Sequence, residues 1–148
     1  MYLRELQADM WELVNMERGK FKLPPLQWNS KVGTVAYHHC HEIMRFGRLF
    51  HQHPITAKNV NHRLDEAGIS WFGCGENCAF GNKSVPVKGM ERFDSRLLYL
   101  HFGLLNSPQH RANLLHPDFR EIGIAIIPDT MNSMGGENSI IITQVFRA

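Results

Sequence analysis

The spacing of the apolar residues divides this chain into a helical part and a strand-forming end. Two mostly apolar stripes recur at steps of three and four residues, which predicts two amphipathic helices: Leu3, Leu6, Met10, Leu13 and Val14, then Val32, Val35, Ala36, His39, Cys40 and Ile43. Residues 122–127 and 139–146 are instead rich in β-branched side chains, which predicts two strands. This pattern predicts an α+β chain whose helices pack against a small antiparallel sheet.

Helix-ending and helix-capping residues set the predicted boundaries. Gly19 and the two prolines after it end the first helix, Asn29 or Ser30 caps the second, and Gly47 ends it. Residues 60–67 are predicted to form a short helix within an otherwise irregular stretch. A third helix carries Phe93, Leu97, Leu100 and Leu104 on one face and ends near residue 107. The polar, glycine-containing residues 128–138 predict a hairpin loop between the two strands.

Length and composition predict one globular domain over residues 1–148, without internal repeats or a linker. The 16 basic and 14 acidic side chains give a net charge of only +2, so no nucleic-acid partner is expected. No stretch approaches the ~20 apolar residues of a membrane span. The N-terminus is charged from Arg4, so no leader is predicted within this chain.

The cysteines and several histidines have ordinary structural interpretations. Cys40, Cys74 and Cys78 allow at most one internal disulfide, and their number does not fix the pairing. His39 lies on the apolar stripe of the second helix, which favours a buried, hydrogen-bonded core residue over a ligand. His38 and the nearby His41 share the opposite, solvent-facing side.

Four segments carry a family resemblance, in the same order and at the same spacing along almost the whole chain. They are residues 13–29, with Leu26-Gln27-Trp28-Asn29; His39-Cys40 leading through Gly47 to His51; Gly75-Glu76-Asn77-Cys78-Ala79-Phe80-Gly81; and Ser107-Pro108-Gln109-His110-Arg111 followed by Arg120-Glu121-Ile122-Gly123. On these motifs the chain resembles the bacterial form of the CAP superfamily, the relatives of cysteine-rich secretory proteins, venom antigens and plant pathogenesis-related proteins. The last motif is the most specific of the four.

The resemblance implies a three-layer α-β-α sandwich with a mostly antiparallel sheet and a short strand near residues 76–79. It also implies an extracellular or cell-envelope location and an unidentified lipid, sterol, glycan or protein ligand. At Cys78 the family usually has an aliphatic residue, which implies a buried, unreactive thiol. The cleft of the family corresponds to His51, Glu76 and His110 in this sequence.

Two imidazoles and a carboxylate allow three interpretations of this cleft. They can bind a divalent metal such as Zn²⁺, transfer protons as general acid and base, or hydrogen-bond one another to fix the loops that carry them. The leading hypothesis is a binding protein with His51, Glu76 and His110 as metal ligands. The alternative is a metal-assisted, peptidase-like hydrolase that uses the same three residues catalytically.

Departures from the family pattern weaken the enzymatic hypothesis. Neither Glu91 nor Asp94 aligns with the second acid of many family members, and Leu104 replaces the usual tryptophan. Ser107 is the hydroxyl nearest in sequence to His110, but a Ser-Pro pair at this position favours helix capping. Two supporting contacts are also expected: Asn77 with the backbone of the irregular loop, and an ion pair between Arg111 and Glu121 near the second strand.

Overall fold

The computed structural model describes residues 2–134 and 136–148, so Gly135, in the predicted hairpin loop, lies outside the described residues. The described helices are α1 (Tyr2–Lys20), α2 (Ser30–Phe46), α3 (Val60–Glu66), α4 (Ser95–Leu105) and α5 (Pro108–Leu114). The described strands are β1 (Gln27–Trp28), β2 (Cys74–Gly81), β3 (Glu121–Pro128) and β4 (Ile140–Arg147). None of the described helices is long and apolar enough to cross a membrane.

The four strands form one sheet in the order β1-β3-β4-β2. The central strands β3 and β4 are the antiparallel hairpin predicted from the sequence, with Glu121 opposite Arg147 and Pro128 opposite Ile140. Strand β2 extends the sheet antiparallel to β4, and β1 adds a two-residue parallel pairing to β3. The sheet is therefore mostly antiparallel, as the resemblance implies.

Helices cover both faces of the sheet and give the expected three layers. Side chains alternate along β3: Ile124 and Ile126 pack with α1, α4 and α5, whereas Ala125 and Ile127 pack with α2 and α3. Because both faces are covered, the central strands consist of almost continuous apolar residues.

The close contact between α2 and the sheet depends on Gly123. A Cβ atom at this position would lie 2.1 Å from the backbone nitrogen of Gly33 in α2, so no side chain fits there. At its other end α2 stops at Gly47, whose φ of 69° suits glycine. The helix thus brings His39 against the sheet and leads directly into the loop that carries His51.

Periodicity predicted α1 to α4 and the β3–β4 hairpin correctly, but not β1, β2 or α5. Strand β2 contains two glycines, two cysteines and no β-branched residue, so its propensity is poor. It forms because all eight of its residues pair with β4. The resemblance, not the periodicity, predicted this strand.

Candidate functional site

His51, Glu76 and His110 line the same surface cleft, which has a volume of about 430 Å³. The three residues come from the loop after α2, from β2 and from α5. The remaining lining residues are mostly amides and small side chains: Asn59, Val60, Asn77, Gln109, Ala112 and Asn113. The structure therefore brings together the three side chains singled out in the sequence.

Glu76 is the buried centre of an ionic network behind this cleft, with a side chain only 2% exposed. One carboxylate oxygen lies 3.0 Å from Nδ1 of His51 and 3.3 Å from Nε2 of His39, and the other accepts from Arg63 at 2.5 Å. Burial alone would raise the pKa of Glu76, but these three partners outweigh burial and lower it. Glu76 is therefore an ionised, fully engaged carboxylate.

Arg63 connects the short helix α3 to this carboxylate. Besides its bond to Glu76, it donates to the backbone carbonyls of His51 at 3.0 Å and Lys58 at 3.1 Å. It thus neutralises the buried charge and holds the loop that carries His51. The sequence analysis missed Arg63 because its role depends on a contact with β2 that only the fold creates.

His39 is the buried, hydrogen-bonded core residue that its helical position predicted. Its Nε2 lies 2.7 Å from the backbone oxygen of Phe50, and its buried Nδ1 has no hydrogen-bond partner in the described part of the chain. Burial is the largest influence on its pKa and lowers it, despite the nearby charge of Glu76. His39 is also part of the Glu76 network, which the sequence analysis did not foresee.

His51 and His110 each use Nδ1 for a bond within the protein. His51 bonds Glu76, and Nδ1 of His110 lies 2.8 Å from the hydroxyl oxygen of Ser107. The Nε2 atoms of both rings have no hydrogen-bond partner among the described residues. Burial, and secondarily the nearby His51, lowers the pKa of His110, which favours its neutral form.

Ser107 does not act as the sequence suggested. It precedes the first residue of α5, but its hydroxyl caps no backbone amide and instead bonds the imidazole of His110 three residues later. The prediction of a conventional helix cap was therefore wrong. A histidine at the third helical position competes for the hydroxyl, just as the acidic residue of a capping box reaches back to the cap residue.

Asn77 joins β2 to α5 beneath the cleft. Its amide nitrogen donates to the backbone oxygen of His110 and to the side chain of Gln144, both at 3.1 Å, while its oxygen accepts from Asn113 at 2.9 Å. Its backbone contact is thus with helix α5 rather than with its own loop. Through this amide, the strand that carries Glu76 fixes the helix that carries His110.

The expected ion pair between Arg111 and Glu121 does not form. Glu121 is bonded by Arg147 at 2.7 Å and by Asn29 at 3.2 Å. Arg111 points elsewhere and lies over the ring of Phe21, 5.3 Å from its centroid. The register of β3 against β4 places Arg147 directly opposite Glu121, and sequence proximity could not reveal this pairing.

No additional acid completes the cleft among the lining residues. Asp94 caps α4 through the amides of Arg96 and Leu97, and Glu91 accepts from the amide of Gly89 on the surface. Leu104, at the family's tryptophan position, is buried in the core beside α1. These three departures therefore lie outside the cleft.

All three cysteines are free thiols, and Cys40 and Cys78 are buried. Both contact the hydroxyl of Thr143, at 3.2 and 3.9 Å. Burial raises the pKa of Cys40 to about 12 and that of Cys78 well above its ordinary value. The interpretation of these two cysteines as unreactive core residues agrees with their surroundings.

His39, Glu76 and Cys78 form a buried group that could hold a metal ion, because their donor atoms lie within 4.8 Å of one another. Their present bonds favour a different use. The Nε2 atom of His39 contacts a carbonyl oxygen and therefore carries a hydrogen, and both oxygens of Glu76 are engaged. The Nε2 atoms of His51 and His110, by contrast, make no hydrogen bond to a described residue.

Comparison with known proteins identifies the family. The model of the cysteine-rich secretory protein family, CAP, matches residues 11–146, so the chain belongs to this family. The Bacillus subtilis protein YkwD is 30% identical over 116 residues, which cover 78% of this chain and 40% of YkwD. The chain thus spans less than half the length of this relative.

Solved structures with the same fold include bacterial surface and extracellular proteins. An extracellular, SCP-domain protein of Bacillus anthracis has a TM-score of 0.71 at 23% identity, over 97% of this chain and 40% of that one. An outer surface protein of Borrelia burgdorferi has a TM-score of 0.78 at 19% identity, over 97% and 92% of the two chains. These similarities establish the bacterial CAP fold and show nothing about a ligand.

Proposed function

We propose that the chain is an extracellular or envelope-associated binding domain, formed by residues 1–148, whose cleft takes a ligand through His51 and His110. The observation that carries this proposal is that the two imidazoles are held in the same way. Each Nδ1 is held by a bond inside the protein, and each Nε2 lacks a partner among the described residues. Two oriented imidazole nitrogens in one cleft are prepared to bind.

The rest of the cleft favours a polar ligand. Its walls carry the side-chain amides of Asn59, Gln109 and Asn113, and the charge of Glu76 is balanced by Arg63. Such a surface offers hydrogen bonds without a net charge to repel either sign. Among the ligands that the family resemblance suggests, a glycan or a peptide therefore suits this cleft better than a sterol or another lipid.

A divalent metal such as Zn²⁺ is the smallest ligand that fits this arrangement. His51 and His110 would supply imidazole ligands, and Glu76 would orient His51 from behind instead of binding the metal directly. Such an ion would act as a Lewis acid towards oxygen atoms of a bound ligand. The Glu76 bond keeps the hydrogen of His51 on Nδ1, so its Nε2 lone pair is available.

Calorimetric titration of ZnCl₂ into metal-free protein at neutral pH tests this proposal. We expect saturable heat that is lost in the double variant His51→Ala, His110→Ala and kept in His38→Ala, which removes an exposed histidine outside the cleft. No saturable heat, or equal heat in the double variant, would exclude zinc at the cleft. Binding of glycan and peptide arrays, compared between wild type and the double variant, then tests the wider proposal.

The Ser107–His110 bond supports a second candidate, a metal-assisted hydrolase with peptidase-like activity. His110 has a lowered pKa and lies next to a hydroxyl, so it is suited to accept a proton at neutral pH. His51 and Glu76 would form the second acid–base pair. Turnover of peptide or ester libraries in the presence of zinc is the required result, and turnover that persists in His110→Ala would indicate a contaminant.

A further inference from the structure

A cavity with a volume of about 570 Å³ lies at the end of the sheet where β3 begins and β4 ends. This volume is within the range of about 300–1,000 Å³ that is usual for small-molecule sites. Its charged lining residues are Arg120, Glu121 and Arg147, and Pro24 and Pro25 give it an apolar wall. This space, called the arginine cavity below, shares no lining residue with the histidine cleft.

Hydrogen bonds fix the backbone on both sides of the arginine cavity. The register of the hairpin places Glu121 directly opposite Arg147, and the amide of Arg120 donates to the backbone oxygen of Arg147 at 3.0 Å. On the proline side, Nε of the fully buried Arg18 donates to the backbone oxygen of Pro24 at 2.9 Å. The walls therefore belong to the sheet and to a firmly held turn, which suits a preformed binding site.

Both guanidinium groups keep N–H donors that have no partner among the described residues. Arg120 uses Nη1 for the backbone oxygens of Pro117 and Phe119, at 2.5 and 2.9 Å, and its Nε and Nη2 make no bond there. Arg147 uses Nε for Glu121 at 2.7 Å, and both its Nη atoms stay available. Two arginines and one glutamate leave the lining with an excess of positive charge. The cavity is therefore suited to an anion.

We propose that the arginine cavity binds a small phosphate ester, with the phosphate on Arg120 and Arg147 and the organic part against the two prolines. The tetrahedral oxygens of a phosphate can accept from two guanidinium groups that belong to different elements, whereas the oxygens of a carboxylate lie in one plane. Glu121 competes with the ligand for Arg147 and therefore limits the affinity. This site is separate from the histidine cleft and does not depend on the function proposed for that cleft.

Calorimetric titration with phenyl phosphate at pH 7 and low salt tests this proposal. We expect saturable binding at one site. Benzoate, which has the same ring and a planar anion, should bind at least about tenfold more weakly, and so should inorganic phosphate, which lacks the ring. No saturable heat with phenyl phosphate, or equal affinity for benzoate, would overturn the proposal. Equal affinity for inorganic phosphate would show a site for the free ion and would overturn the ester.

Three variants locate the binding. Arg120→Gln should weaken phenyl phosphate binding by about tenfold or more, and Arg48→Gln, at an exposed arginine outside the cavity, should leave it unchanged. Glu121→Gln removes the only negative charge of the lining and frees Arg147, so the affinity should rise by about threefold. Damage to the fold would not produce such a gain. Unchanged affinity in Arg120→Gln, or no gain in Glu121→Gln, would overturn the proposal.

Discussion

The two histidines of the cleft reach the same state by different means. His51 is oriented by Glu76, a carboxylate 25 residues later in the chain, which Arg63 and His39 also contact. His110 is oriented by Ser107, three residues earlier at the start of the same helix. One imidazole thus depends on a buried ionic network between several elements, and the other on a local bond between neutral groups.

Because of this difference, substitutions behind the two histidines should affect stability and ligand binding to different extents. Buried charges must remain paired, so the residues behind His51 contribute strongly to folding. A neutral hydrogen bond at a helix start contributes much less. Substitutions behind His51 therefore change the stability and the cleft together, whereas substitutions behind His110 act mainly on the cleft.

The largest effect is expected from Glu76→Gln. The change removes the charge that balances the partly buried Arg63 and weakens the orientation of His51. Breaking one side of a buried ion pair costs about 3–5 kcal/mol. Urea unfolding at pH 7 should show a loss of stability of this size.

Glu42→Gln is the matched control for this prediction. Glu42 makes the same kinds of contact, with His53 at 3.3 Å and Arg45 at 3.5 Å, but its side chain is 35% exposed. We expect a loss of at most about 1 kcal/mol. The double variant Glu76→Gln, Arg63→Met should recover part of the larger loss, because it removes both charges. Equal losses in the two single variants would contradict the buried network.

The sequence predicted the residues that belong to motifs or to a helical stripe better than the buried contacts between elements distant in the chain. The positions of His51, Glu76 and His110 came from motifs, and His39 came from the stripe of α2. Arg63 carried no signal, because its bond to Glu76 requires α3 to pack beside β2, an element with poor strand propensity. The Ser107–His110 bond was within reach of sequence reasoning, since residues three apart meet at a helix start. There the wrong choice was the hydrogen-bond partner of the hydroxyl.

A smaller, pH-dependent effect should distinguish Glu76, which orients His51, from Ser107, which orients His110. The partners of Glu76 hold its pKa below the ordinary value of 4.5, despite burial. Its contribution to stability is therefore complete above pH 4.5 and is lost as the pH falls through its lower, folded-state pKa. The stability gap between wild type and Glu76→Gln should stay constant from pH 7 to 4.5 and then narrow.

Unfolding free energies from denaturant titrations at several pH values test this behaviour. Ser107 does not titrate, so the gap between wild type and Ser107→Ala should not narrow in the same acidic range. A gap for Glu76→Gln that widens below pH 4.5 would mean that the folded protein holds Glu76 in its protonated form.

The smallest effect on stability is expected from Ser107→Ala. The hydroxyl caps no backbone amide, so the variant loses only the bond to Nδ1 of His110, worth about 0.5–1.5 kcal/mol. The imidazole then loses its fixed orientation, while Asn77 still holds the backbone of His110. Zinc affinity should therefore fall although the melting temperature changes by only a few degrees. A lower melting temperature with unchanged zinc affinity would show that the bond only stabilises the helix and does not orient His110 for zinc binding.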